Sequence, residues 1–222
     1  MVRDVLVPRG CAGCDMPDAV LCPRCRTLFA GTHPFPMPGT RLGEGYACAW
    51  YRGEARHAVL AWKDHRDEEC DGPFSEAMAA LTADLVPSVG HCRCPVAVVP
   101  APSSSASLRR RGRWQTLTLA RAVAEGLRRH GIEAAVVPML TMRHVRDRAV
   151  QLHGGRRSGR VRGRILVEHA GRCPGTDAVV VDDIVTTGST MRQCVEVLNE
   201  SGLRVLTCLA LAYTPQSDQA TP

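Results

Sequence analysis

Ala178-Val-Val-Val-Asp-Asp-Ile-Val-Thr-Thr-Gly-Ser-Thr190 joins an apolar run, two carboxylates and a hydroxyl-rich turn. Unbroken apolar residues such as Val179-Val-Val181 predict a strand buried on both faces, which belongs in a parallel sheet covered by helices. The strand is expected to end at Asp182 and Asp183, and Thr186-Thr-Gly-Ser-Thr190 reads as the loop that opens the next helix. In open α/β sheets ligands bind beyond the carboxyl ends of the strands, where these residues emerge. A helix N-terminus offers free N–H groups and the positive end of the dipole to an anion, and Gly188 permits close approach. Hydroxyls of Thr186, Thr187, Ser189 and Thr190 add donors, while the two acids suit ribose hydroxyls or the water shell of Mg²⁺. Helix capping needs one such group, and this run has far more.

Outward from this segment the chain keeps a βαβ rhythm. Val96 to Val99 is an apolar run, and Leu117, Ala120, Val123, Ala124 and Leu127 line a helix face closed by Gly131. Val136-Val137, Ile165 to Val167 and Val205 to Ala212 are further strand candidates, and Cys194, Val195 and Leu198 mark a helix that Gly202 terminates. Upstream, Tyr46 to Tyr51 reads as a strand and Glu54 to Lys63 as a helix with Ala58, Val59 and Trp62 on one face. Phe74, Ala77, Met78, Leu81 and Leu85 recur at helical spacing, with Pro87 as the expected stop. Gly31 to Gly39, rich in proline, reads as a linker.

Cys11-Ala-Gly-Cys14 and Cys22-Pro-Arg-Cys25 form two C-x₂-C pairs, each able to offer two thiolates, and together they complete a Cys₄ set for structural zinc. So short a segment has no core of its own, and a metal supplies folding energy. A redox dithiol is the alternative, although neither pair falls within a βαβ unit. Cys92-Arg-Cys94 offers only two ligands, and Cys48, Cys70, Cys173, Cys194 and Cys208 read as small apolar residues.

The net charge of +6 is carried almost wholly by arginine, since Lys63 is the only lysine. Arginine suits phosphate, so the charge favours nucleotide, pyrophosphate or nucleic-acid ligands, or else reflects composition alone. Arg109-Arg-Arg-Gly-Arg113 reads as an anion clamp or as a solvated loop. Three tryptophans, three tyrosines and three phenylalanines are too few for a base-stacking platform. No apolar run reaches membrane-helix length and Met1 to Arg9 lacks a signal-peptide core, so the expectation is a cytoplasmic protein without membrane insertion.

The segment 178–190 resembles the ribose-phosphate-binding motif of type I phosphoribosyltransferases. With the cysteine-rich N-terminus and Val98-Val-Pro-Ala-Pro102, the chain is similar over nearly its whole length to the ComF family, named for a competence protein. The resemblance implies an α/β, type I phosphoribosyltransferase-like fold, a mainly parallel sheet flanked by helices, behind a zinc-ribbon-like module. The expected divisions are 1–35 for module and linker, 36–213 for the phosphoribosyltransferase-like domain and 214–222 for a disordered tail. It further implies Asp182 and Asp183 as catalytic acids at the ribose and Thr186, Thr187, Gly188, Ser189 and Thr190 around the 5′-phosphate. Ala101, Ser103, Ser104 and Arg111 fall on the pyrophosphate side, with Mg as cofactor and Zn held by Cys11, Cys14, Cys22 and Cys25. Arg113-Trp114-Gln115 and Arg148 to Ile165 depart from the family pattern on the acceptor side. The implied ligand is 5-phosphoribosyl-1-pyrophosphate (PRPP) or a nucleotide, with phosphoribosyl transfer to a nitrogen acceptor as the reaction. The alternative is a non-catalytic accessory protein of DNA uptake that binds single-stranded DNA weakly or contacts competence proteins.

Overall fold

The computed structural model describes residues 9–65, 67–89, 95–142, 165–168 and 175–215. Cys92, Cys94 and Cys173, the stretch Arg148 to Arg164 with its arginines from 156 onward, and the tail from 216 lie outside the described residues.

Among the described residues, six strands form the main sheet: β1 (His33–Pro36), β2 (Glu44–Trp50), β3 (Val96–Pro100), β4 (Ala134–Val136), β7 (Asp177–Val185) and β8 (Arg204–Tyr213). Their order is β1-β2-β8-β7-β3-β4, parallel throughout except for β1, which pairs antiparallel with β2 at the edge. A separate antiparallel pair joins β5 (Leu140–Met142) to β6 (Ile165–Val167). The helices are α1 (Pro23–Thr27), α2 (Gly53–Asp64), α3 (Asp71–Leu81), α4 (Val86–Val89), α5 (Ser105–Arg111), α6 (Gln115–Arg129) and α7 (Ser189–Glu200). This is an α/β fold with a mainly parallel sheet covered by helices, as the triple valine requires. Val179 and Val181 enter one core with α2, α3 and α6, and Val180 enters the other with α7.

Three local expectations are corrected. Gly31 to Gly39 contains β1, because an edge strand tolerates Pro34 and Pro36 where a central one does not. Pro87 does not stop the helical stretch, since it sits at the start of α4, where a proline costs no helix hydrogen bond. Asp182 and Asp183 do not follow the strand's end, because β7 pairs with β8 as far as Val185 opposite Tyr213.

The α3–α6 contact depends on a glycine. A Cβ at Gly126 would stand 2.5 Å from Thr82 Oγ1, 2.7 Å from Ala79 O and 3.0 Å from Ala79 Cα, and the last two are backbone atoms that cannot rotate away. Gly126→Ala is therefore expected to destabilise the fold by about 2–3 kcal/mol despite alanine's better helix propensity. A denaturation midpoint shifted down at unchanged slope would show it.

Candidate anion-binding site and metal centre

Two loops leave the carboxyl ends of the adjacent parallel strands β3 and β7. The first begins at Ala101, whose N–H donates to Val181 O at 2.7 Å. Ser103 is half-buried, and Ser104 caps α5 by accepting from Ser107 N at 3.1 Å. The second is Thr186 to Ser189. Gly188, at φ 70°, turns the chain into α7 in the left-handed region that a side chain disfavours. Thr186, Thr187 and Ser189 are exposed, and Thr187 Oγ1 lies 3.1 Å from Ser189 Oγ. Arg192, one turn into α7, donates to Thr187 O at 2.5 Å and steadies the loop. A cavity is lined by this loop, Thr190 and Asp182, so a helix N-terminus, hydroxyls and one carboxylate open on a single space.

The two acids have separate surroundings. Asp182 Oδ1 accepts from Asp183 N at 2.8 Å, and its charge lies near enough to Cys194 and Cys208 to raise both thiols further above the level that burial sets. Asp183, 6% exposed, turns toward α2, where Lys63 Nζ lies 2.7 Å from its Oδ1. Burial pushes the Asp182 carboxyl up to about 8, the Asp183 charge adds to the rise, and Lys63 and the Asp183 N–H oppose it. A folded carboxyl that holds its proton more tightly than the unfolded one, from an ordinary value of 3.8, loses stability as pH rises between about 4 and about 8. Without ligand, Asp182→Asn is thus expected to melt with wild type near pH 4 and above it at pH 9. Equal melting temperatures at both pH values would contradict this.

On the β3 side the arginines are engaged. Arg111 and Arg110 both reach Asp64 Oδ1, at 3.4 and 3.3 Å, and Arg113 holds Asp71 through two bonds of 2.6 and 2.7 Å. Trp114 Nε1 donates to Ala101 O at 3.2 Å, and buried Gln115 donates to Lys63 O at 3.4 Å. Lys63 is the residue that sequence reasoning missed. Its singularity in the chain was visible, but only the packing of α2 brings it to Asp183.

The four N-terminal cysteines come together. Their sulfurs lie within 4.8 Å of one another, and Cys14 Sγ is 3.6 Å from Cys22 Sγ. A tetrahedron with Zn–S bonds of about 2.3 Å places sulfurs about 3.8 Å apart, so the set fits zinc. Cys11 and Cys14 lie in a turn, whereas Cys22 caps α1 and Cys25 lies within it. Burial pushes the Cys11 thiol up, but N–H groups of Cys22, Cys14 and Gly13 outweigh it, with help from the Cys25 thiol, and bring it down to about 6. Burial, then Cys14, Cys22 and Cys11, push Cys25 up. Cys48, Cys70, Cys194 and Cys208 are buried apart from this centre, as small apolar residues.

No curated protein sequence matches the chain. Among solved structures, adenine phosphoribosyltransferase from Saccharomyces cerevisiae is 14% identical, with 84% of this chain and 85% of that one covered at a TM-score of 0.40. Hypoxanthine phosphoribosyl transferase from Trypanosoma cruzi is 16% identical, with 67% and 75% covered at a TM-score of 0.42. Orotate phosphoribosyltransferase from Aeropyrum pernix is 22% identical, with 68% and 65% covered at 0.34. Residues 117–220, which include the β7 acids, the Thr186–Thr190 loop and α7, match the family model described as phosphoribosyl transferase domain.

Proposed function

We propose that the protein binds PRPP with Mg²⁺ and transfers the phosphoribosyl group to a nitrogen acceptor. The observation that carries this is the Thr186–Thr190 cradle at the N-terminus of α7, open to the same cavity as Asp182 inside a phosphoribosyl transferase domain. The 5′-phosphate rests on the N–H groups and hydroxyls of that loop, and Asp182 and Asp183 accept from the ribose hydroxyls. Ala101, Ser103, Ser104 and Arg111 hold the pyrophosphate. The carboxylates are hard oxygen donors that fit Mg²⁺, which when bound neutralises charge on the leaving pyrophosphate.

In the reaction the acceptor nitrogen bonds to the anomeric carbon as the bond from that carbon to pyrophosphate oxygen breaks. The electron pair leaves with pyrophosphate, and the acceptor's proton passes to solvent. What the chain contributes is orientation and fixed donors around a cationic transition state. Release of pyrophosphate from PRPP that depends on an added nitrogen base tests this step, and its absence across purine, pyrimidine and amine acceptors would reduce the protein to a binder.

The finer family proposal, a ComF-like protein, rests on the Cys₄ centre preceding such a domain, with 1–35, 36–213 and 214–222 as its divisions. Single-stranded DNA as a partner draws less support, because Arg110, Arg111 and Arg113 are taken up by Asp64 and Asp71. No helix among the described residues is long and apolar enough to cross a membrane. A cytoplasmic location is proposed on the sequence alone.

A further inference from the structure

Lys63, the only lysine, is the penultimate residue of α2, and its ammonium pairs with Asp183 at 2.7 Å with side chains 18% and 8% exposed. The next residue, Asp64, holds Arg111 at 3.4 Å, long beside the roughly 2.7–2.9 Å of a good charge-assisted hydrogen bond. The Arg111 side chain is 13% exposed, and its Nε is buried with no hydrogen-bond partner among the described residues. Trp114 and Gln115 tie this helix end to the β3 loop through Ala101 O and Lys63 O. The end of α2 therefore sets a cation against a proposed ribose acid and a loosely fitting carboxylate against a proposed pyrophosphate ligand. A molecule that carries hydroxyls and a pyrophosphate on adjacent atoms satisfies both partners better.

We infer that Lys63 determines specificity for the anomeric pyrophosphate: it rests on Asp183 in the free protein and moves to the pyrophosphate when PRPP binds. This rests on the site taking PRPP. An ammonium this poorly solvated requires a counter-charge in either state, and pyrophosphate offers more negative charge than one carboxylate. The move leaves Asp183 to the ribose hydroxyls. Ribose 5-phosphate has no pyrophosphate, so with that ligand Lys63 stays on Asp183.

The test titrates PRPP and ribose 5-phosphate, each with Mg²⁺, into wild type, Lys63→Met and Lys63→Arg. The methionine variant is expected to lose affinity for PRPP on the order of 30-fold while ribose 5-phosphate changes by less than about threefold, and arginine to restore part of the loss. A measurement without substitution uses the single lysine. Reductive ¹³C-methylation keeps its charge and gives one side-chain signal, which PRPP is expected to shift and ribose 5-phosphate to leave in place. Unchanged PRPP affinity in a folded Lys63→Met protein, equal losses for both ligands, or a methyl signal indifferent to PRPP would overturn the inference and leave the PRPP site standing. If wild type binds neither ligand, both the site and the role of Lys63 fall.

Discussion

Cys25→Ser is expected to abolish zinc binding and to unfold the N-terminal part of the protein. Cys25 is fully buried, and a Cβ on Gly13 would approach its sulfur to 2.8 Å, so the turn carrying Gly13 closes tightly over this thiol, and serine would put a poor zinc ligand in its place. The centre also shares a core with the main domain: Cys11, Cys22 and Cys25 belong to one cluster with Phe29, Phe74 and Trp62. Phe29 and Phe74 rings stand 4.9 Å apart, and Phe74 meets Trp62 edge-on at 5.3 Å. Structural zinc contributes on the order of 10–16 kcal/mol in small peptides, comparable with the whole stability of a domain. Loss of the metal therefore reaches α2 and α3 through these rings. Metal analysis should give one zinc per wild-type chain and none in the variant, with a thermal transition that is lower and less cooperative; a strong chelator should do the same to wild type. Cys48→Ala, buried but away from the centre, should keep its zinc and cost only about 1–2 kcal/mol. A wild type purified without zinc, melting with the Cys25 variant, would refute the structural role.

The second large effect is expected at the acids. Asp182→Asn with Asp183→Asn should weaken Mg²⁺-dependent PRPP binding by at least about 100-fold, the scale of losing two charge-assisted contacts of about 1.5–3 kcal/mol each. The double variant should fold but melt below wild type, because asparagine keeps the acceptor oxygens that hold Asp183 N and Ile184 N while Lys63 loses its charged partner. The double variant's thermal transition should therefore stop responding to PRPP. A variant that is still stabilised by PRPP as wild type is would place the ligand elsewhere.

Most of the architecture was legible because its strands are apolar on both faces and its helices on one. Val179-Val-Val181 required a sheet covered on two sides, and the spacing from Ala120 to Leu127 gave α6 its buried face. The loop at Gly188 was legible for a related reason, since a glycine among hydroxyls at a helix start has few other uses. Edge effects were not legible. Pro34 and Pro36 forbid a central strand, and nothing local says that β1 lies at the rim. The extension of β7 to Val185 depends on β8 running equally far, a property of two strands and not of one. The role of Lys63, and the partners of Trp114 and Gln115, escaped for the same reason. Lys63 meets Asp183 when α2 packs at the end of β7, Gln115 meets the backbone of α2 when α6 packs beside it, and Trp114 meets Ala101 O across the β3 loop.

The most direct measurement is calorimetric titration of PRPP into the wild-type protein with and without Mg²⁺, beside the Asp182→Asn, Asp183→Asn protein. Saturable binding at one site per chain is expected, requiring Mg²⁺ and lost in the double variant. A folded wild type that takes up no PRPP would contradict the phosphoribosyl site, and with it the function proposed for this cradle.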